Sequence, residues 1–315
     1  MTEPALSLQH VSKSFGDKPA VADLSLDVPR GRVFGLIGPN GAGKSTTIRM
    51  ALNIYVPDTG TVRVLGQPHS SAVANRIGYL PEERGLYTKM KVNDLLTYMA
   101  AIKGVSAAQA QPRIDRWLAR VELTAYKDKK VQELSKGMQQ KIQFVATILH
   151  EPELIVLDEP FSGLDPINTN LLKDFIVELR EQGRSIIFST HIMEQAERLC
   201  DSICLINAGR KVLEGSVSEI KGSYGRNTVA LAFEGDGSFL KSHHLVRAMS
   251  SYNGYVEVKL QDGADPQALL MDLAARVRIR RFEIVEPSLH EIFIERVGQT
   301  MEGQEAPAAR EVVRG

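Results

Sequence analysis

The most constraining feature of this chain is a glycine-rich segment, GLIGPNGAGKSTT, at residues 35–47. Its glycines, lysine and serine have the spacing of a phosphate-binding loop, and they stand between an apolar strand and a helix. In such a loop the backbone N–H groups surround the phosphates, the lysine reaches the β and γ phosphates, and the serine holds Mg²⁺. The segment therefore predicts a nucleotide site made by Gly38, Pro39, Asn40, Gly41, Ala42, Gly43, Lys44, Ser45 and Thr46.

Two carboxylates and a histidine follow later apolar strands. In ELIVLDEP the predicted strand is followed by Asp158 and Glu159, and in SIIFSTH the predicted strand is followed by His191. Since α/β sheets place their sites at the carboxyl ends of strands, we expect these side chains near the phosphate loop. Asp158 is predicted to hold Mg²⁺ from its outer sphere together with Ser45. Glu159, pointing the other way along the pleat, is the predicted general base, and His191 a hydrogen-bond donor to the γ-phosphate. Solvated acids and a packing histidine are the alternatives.

The segment ELSKGMQQKIQ, residues 133–143, predicts a helix start suited to an anion. Ser135 takes the N-cap position, but Met138 leaves the reciprocal capping box incomplete. Gly137 weakens the first turn, and Lys136 adds positive charge at the positive end of the helix dipole. Both choices are unfavourable unless an anion binds there. The chain thus contains two candidate anion sites.

Strands and helices alternate along residues 1–222, and helical patterns concentrate between about 86 and 150. This order predicts an α/β fold with a mixed sheet and a helical insertion. GSYGRN, which begins at residue 222, has the composition of a linker. A small α+β domain is predicted over residues 226–298, and the polar tail at 299–315 is predicted to be disordered.

Composition limits the remaining possibilities. The chain balances 38 Lys and Arg against 38 Asp and Glu, so its charge does not favour nucleic acid. No stretch approaches the roughly 18 apolar residues that cross a bilayer, and the N-terminus lacks the apolar region of a signal peptide. Cys200 and Cys204 are too few for a disulfide framework and are predicted to be buried thiols. We expect a soluble cytoplasmic protein that contacts the membrane only through a partner.

Two weaker signals are assigned no function. The arginine-rich segment at residues 276–283 is better explained by a half-exposed strand than by a lipid-binding patch. His243 and His244 are adjacent but lack a second pair of ligands, so no metal site is predicted there.

In their order and rough spacing, GPNGAGKST, LSKGMQQK, LIVLDEP, SGLDP and STH resemble the motifs of the ATP-binding cassette (ABC) ATPases. The resemblance covers about residues 5–220. In that family the helix that starts like LSKGMQQK binds the γ-phosphate held by the other subunit of a head-to-tail dimer. The resemblance therefore implies ATP and Mg²⁺ as cofactors, with Ser135 and Gly137 contacting the partner's ATP. It also implies Asp165 at the dimer seam and Phe15 on the adenine, a core position being the alternative for Phe15.

Three positions depart from the family pattern. Lys136 and Met138 replace the usual Gly and the frequent Gln of the helix start. Glu82, in GYLPEERGLY, replaces a Gln that contacts Mg²⁺ and the attacking water. A carboxylate can still ligate Mg²⁺, but it adds negative charge beside a triphosphate. GYLPEERGLY and the C-terminal EPSLHEIFIERVG are similar to exporter subunits, including sodium-extrusion types.

The resemblance implies an ATP-hydrolysing subunit that works as a homodimer, or with a second ATPase subunit, and drives export through a separate transmembrane permease. The first alternative is a cassette ATPase of a soluble or nucleic-acid machine, which the neutral charge and the single cassette disfavour. The second is a P-loop kinase or GTPase, although the chain has no Asn-Lys-x-Asp segment to recognise guanine. The C-terminal domain is expected to regulate the ATPase or to add dimer contacts.

Overall fold

The structure is a computed structural model that describes residues 3–83, 85–224, 228–252 and 254–304, with side chains up to residue 297. The chain divides into two compact units, Met1–Gly215 and Ser216–Gly315. The division precedes a short helix at Val217–Ser223, whereas the boundary expected from sequence, residue 222, falls inside that helix. Ser216 explains the difference, because its side chain caps this helix and starts a new element there.

The first unit contains nine strands and seven α-helices among the described residues. In chain order they are β1 (Leu6–Phe15), β2 (Lys18–Val28), β3 (Val33–Ile37), α1 (Lys44–Ala51), β4 (Thr59–Val64), α2 (Ser71–Ala74), β5 (Ile77–Leu80), α3 (Val92–Ile102), α4 (Ala107–Arg120), α5 (Lys136–Ile148), β6 (Leu154–Asp158), α6 (Pro166–Glu181), β7 (Ser185–Thr190), α7 (Met193–Leu199), β8 (Ser202–Asn207) and β9 (Arg210–Ser216).

These strands form two sheets. A three-stranded antiparallel sheet has the order β2-β1-β4, and a six-stranded sheet has the order β5-β6-β7-β3-β8-β9. Strands β3, β6 and β7 are buried along their whole length, which explains their continuous apolar sequences. They run parallel in a register that places Ile37 beside Thr190 and Asp158 beside Ser189. The carboxyl ends that carry the predicted site residues therefore meet at one edge of the sheet.

Helix α5 is buried on more sides than its sequence predicts. The expected apolar face consists of Met138, Ile142, Val145 and Leu149. In the structure the whole stretch 140–145 is buried, polar residues included, and Met138 is only half-buried. The polar side chains tolerate burial because they are hydrogen-bonded: the Gln140 Nε2 donates to Pro160 O at 3.3 Å, and the Lys141 Nζ donates to Val121 O at 3.3 Å. The helix is therefore an internal element rather than a surface one.

The second unit is a smaller α+β domain. Its elements are α8 (Val217–Ser223), β10 (Thr228–Glu234), β11 (Val246–Tyr252), β12 (Tyr255–Leu260), α9 (Pro266–Ala274), β13 (Arg278–Val285) and α10 (Leu289–Gln304). The antiparallel sheet has the order β11-β12-β10-β13. Its core joins Val229 and Val258 of the sheet to Leu269 and Leu273 of α9. Strand β11 is not anticipated by the sequence analysis.

Helix α10 extends beyond the expected domain end. The tail predicted to be disordered begins at residue 299, but the helix continues to Gln304, so the prediction is wrong for residues 299–304. Ser288 and Glu291 form a capping box that starts this helix, and adding residues to an existing helix is far easier than starting one. The rest of the predicted tail, residues 305–315, lies outside the described residues.

Both cysteines are buried free thiols, as predicted. Burial raises the pKa of the Cys204 thiol to about 12, and it also raises the pKa of Cys200. Throughout the part of the chain that the structure describes, no helix combines the length and apolar character needed to cross a bilayer.

Candidate nucleotide-binding site

The loop between β3 and α1 has a backbone that its glycines make possible. Gly38 and Gly43 have φ angles of 155° and 104°, in the region that favours glycine. A Cβ at Gly38 would lie 2.1 Å from the carbonyl oxygen of Ile206, and one at Gly43 would lie 2.5 Å from that of Ala20. Any larger residue at these two positions would displace neighbouring backbone, so the loop depends on them for its shape.

Lys44, the first residue of α1, is enclosed by this loop and is only 6% exposed. Its Nζ donates to the carbonyl oxygens of Gly38 at 2.8 Å and Pro39 at 3.2 Å, and it lies 3.6 Å from Oε1 of Glu159. The N-cap of α1, Gly43, supplies no side-chain hydrogen bond, and the first turn contains no acidic residue. The helix therefore presents its N–H groups and a held cation on the same side, which suits a phosphate.

Asp158 forms an acidic centre at the end of β6. It is 1% exposed, and its Oδ1 accepts hydrogen bonds from the hydroxyls of Ser45, at 3.3 Å, and Ser189. Its Oδ2 is buried and has no hydrogen-bond partner among the residues that the structure describes. An orphaned buried carboxylate oxygen beside a serine hydroxyl fits a Mg²⁺ site, because Mg²⁺ takes oxygen ligands and brings its own waters.

Glu159 differs from its predicted orientation. The pleat alternation expected at this position does not apply, because β6 ends at Asp158 and Glu159 has a left-handed backbone with φ 47°. Its N–H donates to Ser189 Oγ at 3.1 Å, and its Oε1 lies 3.0 Å from Nδ1 of His191. The carboxylate is thus turned towards the phosphate loop, between Lys44 and His191. The imidazole is 45% exposed.

A cleft of about 410 Å³ lies over the phosphate loop. Phe15 lies at its rim, where its ring is 48% exposed and contacts Tyr55 edge-on at 5.2 Å between centroids. This exposure excludes the core alternative for Phe15. Glu82 is exposed and also faces the cleft. The full lining comprises Phe15, Lys18, Pro19, Ala20, Asn40, Gly41, Ala42, Gly43, Lys44, Ser45, Thr46, Glu82 and Glu159.

Tyr79 is a neighbour of this site that the sequence analysis missed. Burial raises the pKa of its hydroxyl, and the negative charges of Asp158 and Glu82 raise it further. Arg49 hydrogen-bonds to Tyr79 and, at 3.3 Å, to the hydroxyl of Tyr55. The register of β5 against β6 places Tyr79 beside the strand that ends in Asp158, and that pairing is not visible in the sequence.

Ser135, Gly137 and Asp165 form a second group, called here the signature cluster. Ser135 caps α5 by accepting the Met138 N–H at 3.2 Å, and Asp165 caps α6 by accepting the Asn168 N–H at 2.9 Å. That hydrogen bond lowers the pKa of Asp165. A Cβ at Gly137 would lie 3.6 Å from Nδ2 of Asn168, so the two helix starts are adjacent.

The signature cluster and the cleft are distinct regions of one copy. None of the three cluster residues is among the described residues that line the cleft. Ser135 and Asp165 are exposed, whereas Lys44, Asp158 and Glu159 are buried. The structure therefore brings the phosphate loop, Asp158, Glu159, His191, Glu82 and Phe15 together, and it leaves the signature cluster open to solvent.

Comparison with known proteins gives consistent results for both units. A family model described as ABC transporter matches residues 21–162, and one described as the C-terminal domain of DrrA1-3-like ATP-binding proteins matches residues 215–297. The chain is 46% identical over 297 residues to the uncharacterized ABC transporter ATP-binding protein YhaQ of Bacillus subtilis, covering 94% of this chain and 100% of that relative. It is 36% identical over 309 residues to the Nod factor export ATP-binding protein I of Rhizobium sp. (strain N33), covering 96% and 100%.

The first unit also resembles solved structures. A structure described as the ATP-binding subunit of an ABC transporter superposes with a TM-score of 0.66 at 32% sequence identity, covering 70% of this chain and 93% of that one. Cassette ATPases thus share the fold of the first unit.

Proposed function

The chain belongs to the ABC transporter ATP-binding proteins and is an ATPase, and from this membership we propose that two copies enclose two ATP–Mg²⁺ between them and drive export through a separate transmembrane permease. The pair is a homodimer or includes a second ATPase subunit. One observation carries the proposal: Ser135 and Asp165 of the signature cluster are exposed, and no residue of the cluster is among the described residues that line the cleft of the same copy. A helix start that suits phosphate but does not line the local cleft suits the phosphate of a second copy.

Within the cleft each residue has a task that follows from its contacts. The N–H groups of residues 38 and 40–46 surround the phosphates, and Phe15 stacks on the base from the rim. Lys44 exchanges its bonds to loop carbonyls for bonds to the β and γ phosphates. Ser45 and Asp158, with Glu82 at the exposed side, hold Mg²⁺, which when bound neutralises part of the phosphate charge.

Hydrolysis depends on Glu159 and His191. Glu159 accepts a proton from the attacking water at its carboxylate, and His191 donates a hydrogen bond to the γ-phosphate. The 3.0 Å contact between Nδ1 of His191 and the carboxylate of Glu159 leaves Nε2 for the phosphate. Because a neutral imidazole has a single N–H, donation to both groups at once requires the imidazolium form. Loss of the γ-phosphate removes the contact to the second copy, so the pair opens and the permease partner is moved.

The export direction and the permease partner rest on relatives. Proteins named Nod factor export ATP-binding protein I are 36% identical to this chain over 309 residues in one case and 38% over 223 residues in another. Binding to a transmembrane permease would place this chain at the inner face of the membrane. The exported substrate is set by the permease rather than by the ATPase.

An ATP-retention experiment tests the shared sites. All chains carry Glu159→Gln to stop hydrolysis, and retained ATP is counted after rapid desalting. Lys44→Ala chains alone retain none, and Ser135→Ala chains alone release their ATP, because each pair then lacks one half of both sites. A one-to-one mixture is expected to retain one ATP per mixed pair. If the mixture retains no more ATP than the average of the separate chains, the proposal fails.

A further inference from the structure

The sheet of the second unit has two edge strands that differ in charge. Strand β13 contains four charged residues among its eight, and five of the eight are exposed. Arg280 pairs with Glu234, and Arg281 pairs with Glu283. Charged side chains along an edge hinder the addition of another strand, so β13 is a protected edge.

Strand β11 is the opposite edge and lacks this protection. Five of its seven residues are exposed, and Arg247 is its only charged residue. A bulge separates Val246 from Ala248, after which residues 248–252 pair regularly with β12. Among the described residues no strand pairs with the other side of β11, so a row of main-chain N–H and C=O groups is available there.

We propose that β11 pairs antiparallel with β11 of a second copy across a two-fold axis at Ser250, giving one continuous eight-stranded sheet. This contact goes beyond the shared ATP sites and does not depend on them. A two-fold antiparallel pair must be centred on a residue, because residues opposite each other then share a face. Centring on Ser250 is the choice that uses all five regular residues of the strand.

In this register the side chains are self-complementary. Ala248 lies opposite Tyr252 of the second copy, so a small residue meets a large ring that is 51% exposed in the single chain. That ring already stacks on Tyr255 at 5.0 Å, which holds it in place. The two Ser250 hydroxyls face each other and can hydrogen-bond. Arg247 lies beyond the five paired residues, and its two copies are at opposite ends.

A second copy is the occupant that these features favour. In the five-residue register Ala248 meets the exposed Tyr252, and no charged residue lies opposite a like charge, so the strand is complementary to its own copy. A two-fold contact also closes after two copies and leaves no open edge on β11. The two remaining outer edges of the eight-stranded sheet are then both β13, the protected strand.

Cysteine cross-linking tests the pairing. Directly opposed residues have Cα atoms about 4.5–5.5 Å apart, within the range of a disulfide. The full chain with Ser250→Cys should therefore form a disulfide-linked dimer in most molecules under mild oxidation, since the native cysteines are buried. Arg280→Cys on β13 is the matched control, because seven strand spacings, about 34 Å, would separate its two copies.

Cross-linking with and without ATP tests whether the β11 contact is independent of the shared ATP sites. Ser250→Cys should cross-link equally with and without ATP, and also in a Lys44→Ala background. Absence of the Ser250→Cys dimer, or equal cross-linking of Arg280→Cys, would overturn the proposal. If cross-linking needs ATP, the strands still pair but the claim of independence is lost. Failure here leaves the ATP-retention result unchanged, so the two proposals are separable.

A charge variant gives a second measurement. Ser250→Lys places like charges directly opposite each other, and it should raise the dimer dissociation constant about fivefold in sedimentation without nucleotide. Met271→Lys, on the exposed side of α9 at 73% exposure, is the control and should leave the constant unchanged. Equal constants for the two variants would contradict pairing through β11, and so would a wild-type chain that stays monomeric.

Discussion

The cleft and the signature cluster both suit phosphate, but they are built in opposite ways. At the phosphate loop the charged groups Lys44, Asp158 and Glu159 are buried, and Lys44 is held by two carbonyl oxygens and Glu159. In the signature cluster Ser135 and Asp165 are exposed, and among the described residues their side chains hydrogen-bond to their own helix starts. Burial without a partner is costly for a charge, so a buried site must be nearly complete before its ligand arrives. An exposed helix start is stable without its ligand, because water hydrogen-bonds to its free N–H groups.

The largest expected effect is on the cleft side. Lys44→Ala removes the cation that we propose contacts the β and γ phosphates, and it also leaves buried Glu159 without its cationic neighbour. We expect the dissociation constant for ATP to rise at least about 100-fold, as for the loss of strong charge-assisted hydrogen bonds. Titration calorimetry measures it, with exposed Lys89→Ala as a control of equal charge change. An affinity within about threefold of the wild type would remove Lys44 from the phosphate site.

The next prediction concerns Ser135, where capping and phosphate contact must be separated. Ser135→Ala removes the cap of α5 and costs about 1 kcal/mol of stability, whereas Ser135→Asp keeps a capping oxygen but repels phosphate. Both are expected to lower ATP turnover at least about tenfold while the affinity of a single cleft stays within about twofold.

The matched control for Ser135 is a cap elsewhere in the same unit. Ser106 caps α4 through the Gln109 N–H, so Ser106→Ala should lose similar stability yet keep turnover. Turnover by a coupled assay and thermal melting are measured on all three variants. Normal turnover in Ser135→Asp would show that the serine acts only as a cap.

The sequence predicts those parts of the cleft whose geometry depends on residues close together in the chain. Lys44 and Ser45 lie in one short segment whose spacing specifies the loop, and the cap at Ser135 also follows from neighbouring residues. The orientation of Glu159 does not, because it depends on where β6 ends and on a hydrogen bond from a residue of another strand. Tyr79 was missed for a similar reason: pairing between β5 and β6, which the sequence does not reveal, brings it to Asp158.

Strand β11 shows the same limit in the second unit. VRAMSSY alternates poorly and includes two serines, so its local preference for a strand is weak. It is a strand because β12 pairs with it from Ala248 to Tyr252, a contact set by tertiary structure. The role of the signature cluster is harder still to predict from the residues alone, since its ligand would be bound to another copy. Only the family resemblance indicates this role.

A substitution at Gly137 also tests the signature cluster, with a smaller expected effect than those at Lys44 and Ser135. Nothing near it forbids a methyl group, since the nearest atom to an added Cβ is 3.6 Å away. Gly137→Ala should therefore stabilise α5 by up to about 1 kcal/mol, because alanine is the better helix former. Turnover should nevertheless fall about fivefold, because the methyl occupies the space of the second copy's phosphate.

The control for Gly137 is a glycine in another helix. Gly222 lies in α8, and no described residue comes within 4 Å of an added Cβ, so Gly222→Ala should stabilise its helix similarly without loss of turnover. Melting and turnover are again read together. A Gly137→Ala chain that gains stability and keeps full turnover would mean that no phosphate approaches this helix start.

The smallest effect is expected at Glu82, which faces the cleft but is exposed. Because water screens its charge, Glu82→Gln should change binding only two- to fivefold. Loss of a carboxylate ligand should raise the Mg²⁺ concentration for half-maximal turnover, whereas loss of a negative charge beside the triphosphate should tighten ATP binding without Mg²⁺. These opposite shifts distinguish a metal ligand from a distant charge. Glu83→Gln, at the neighbouring exposed carboxylate, is the control and should shift neither, and a Glu82→Gln chain that behaves like it would place the Glu82 carboxylate away from the metal.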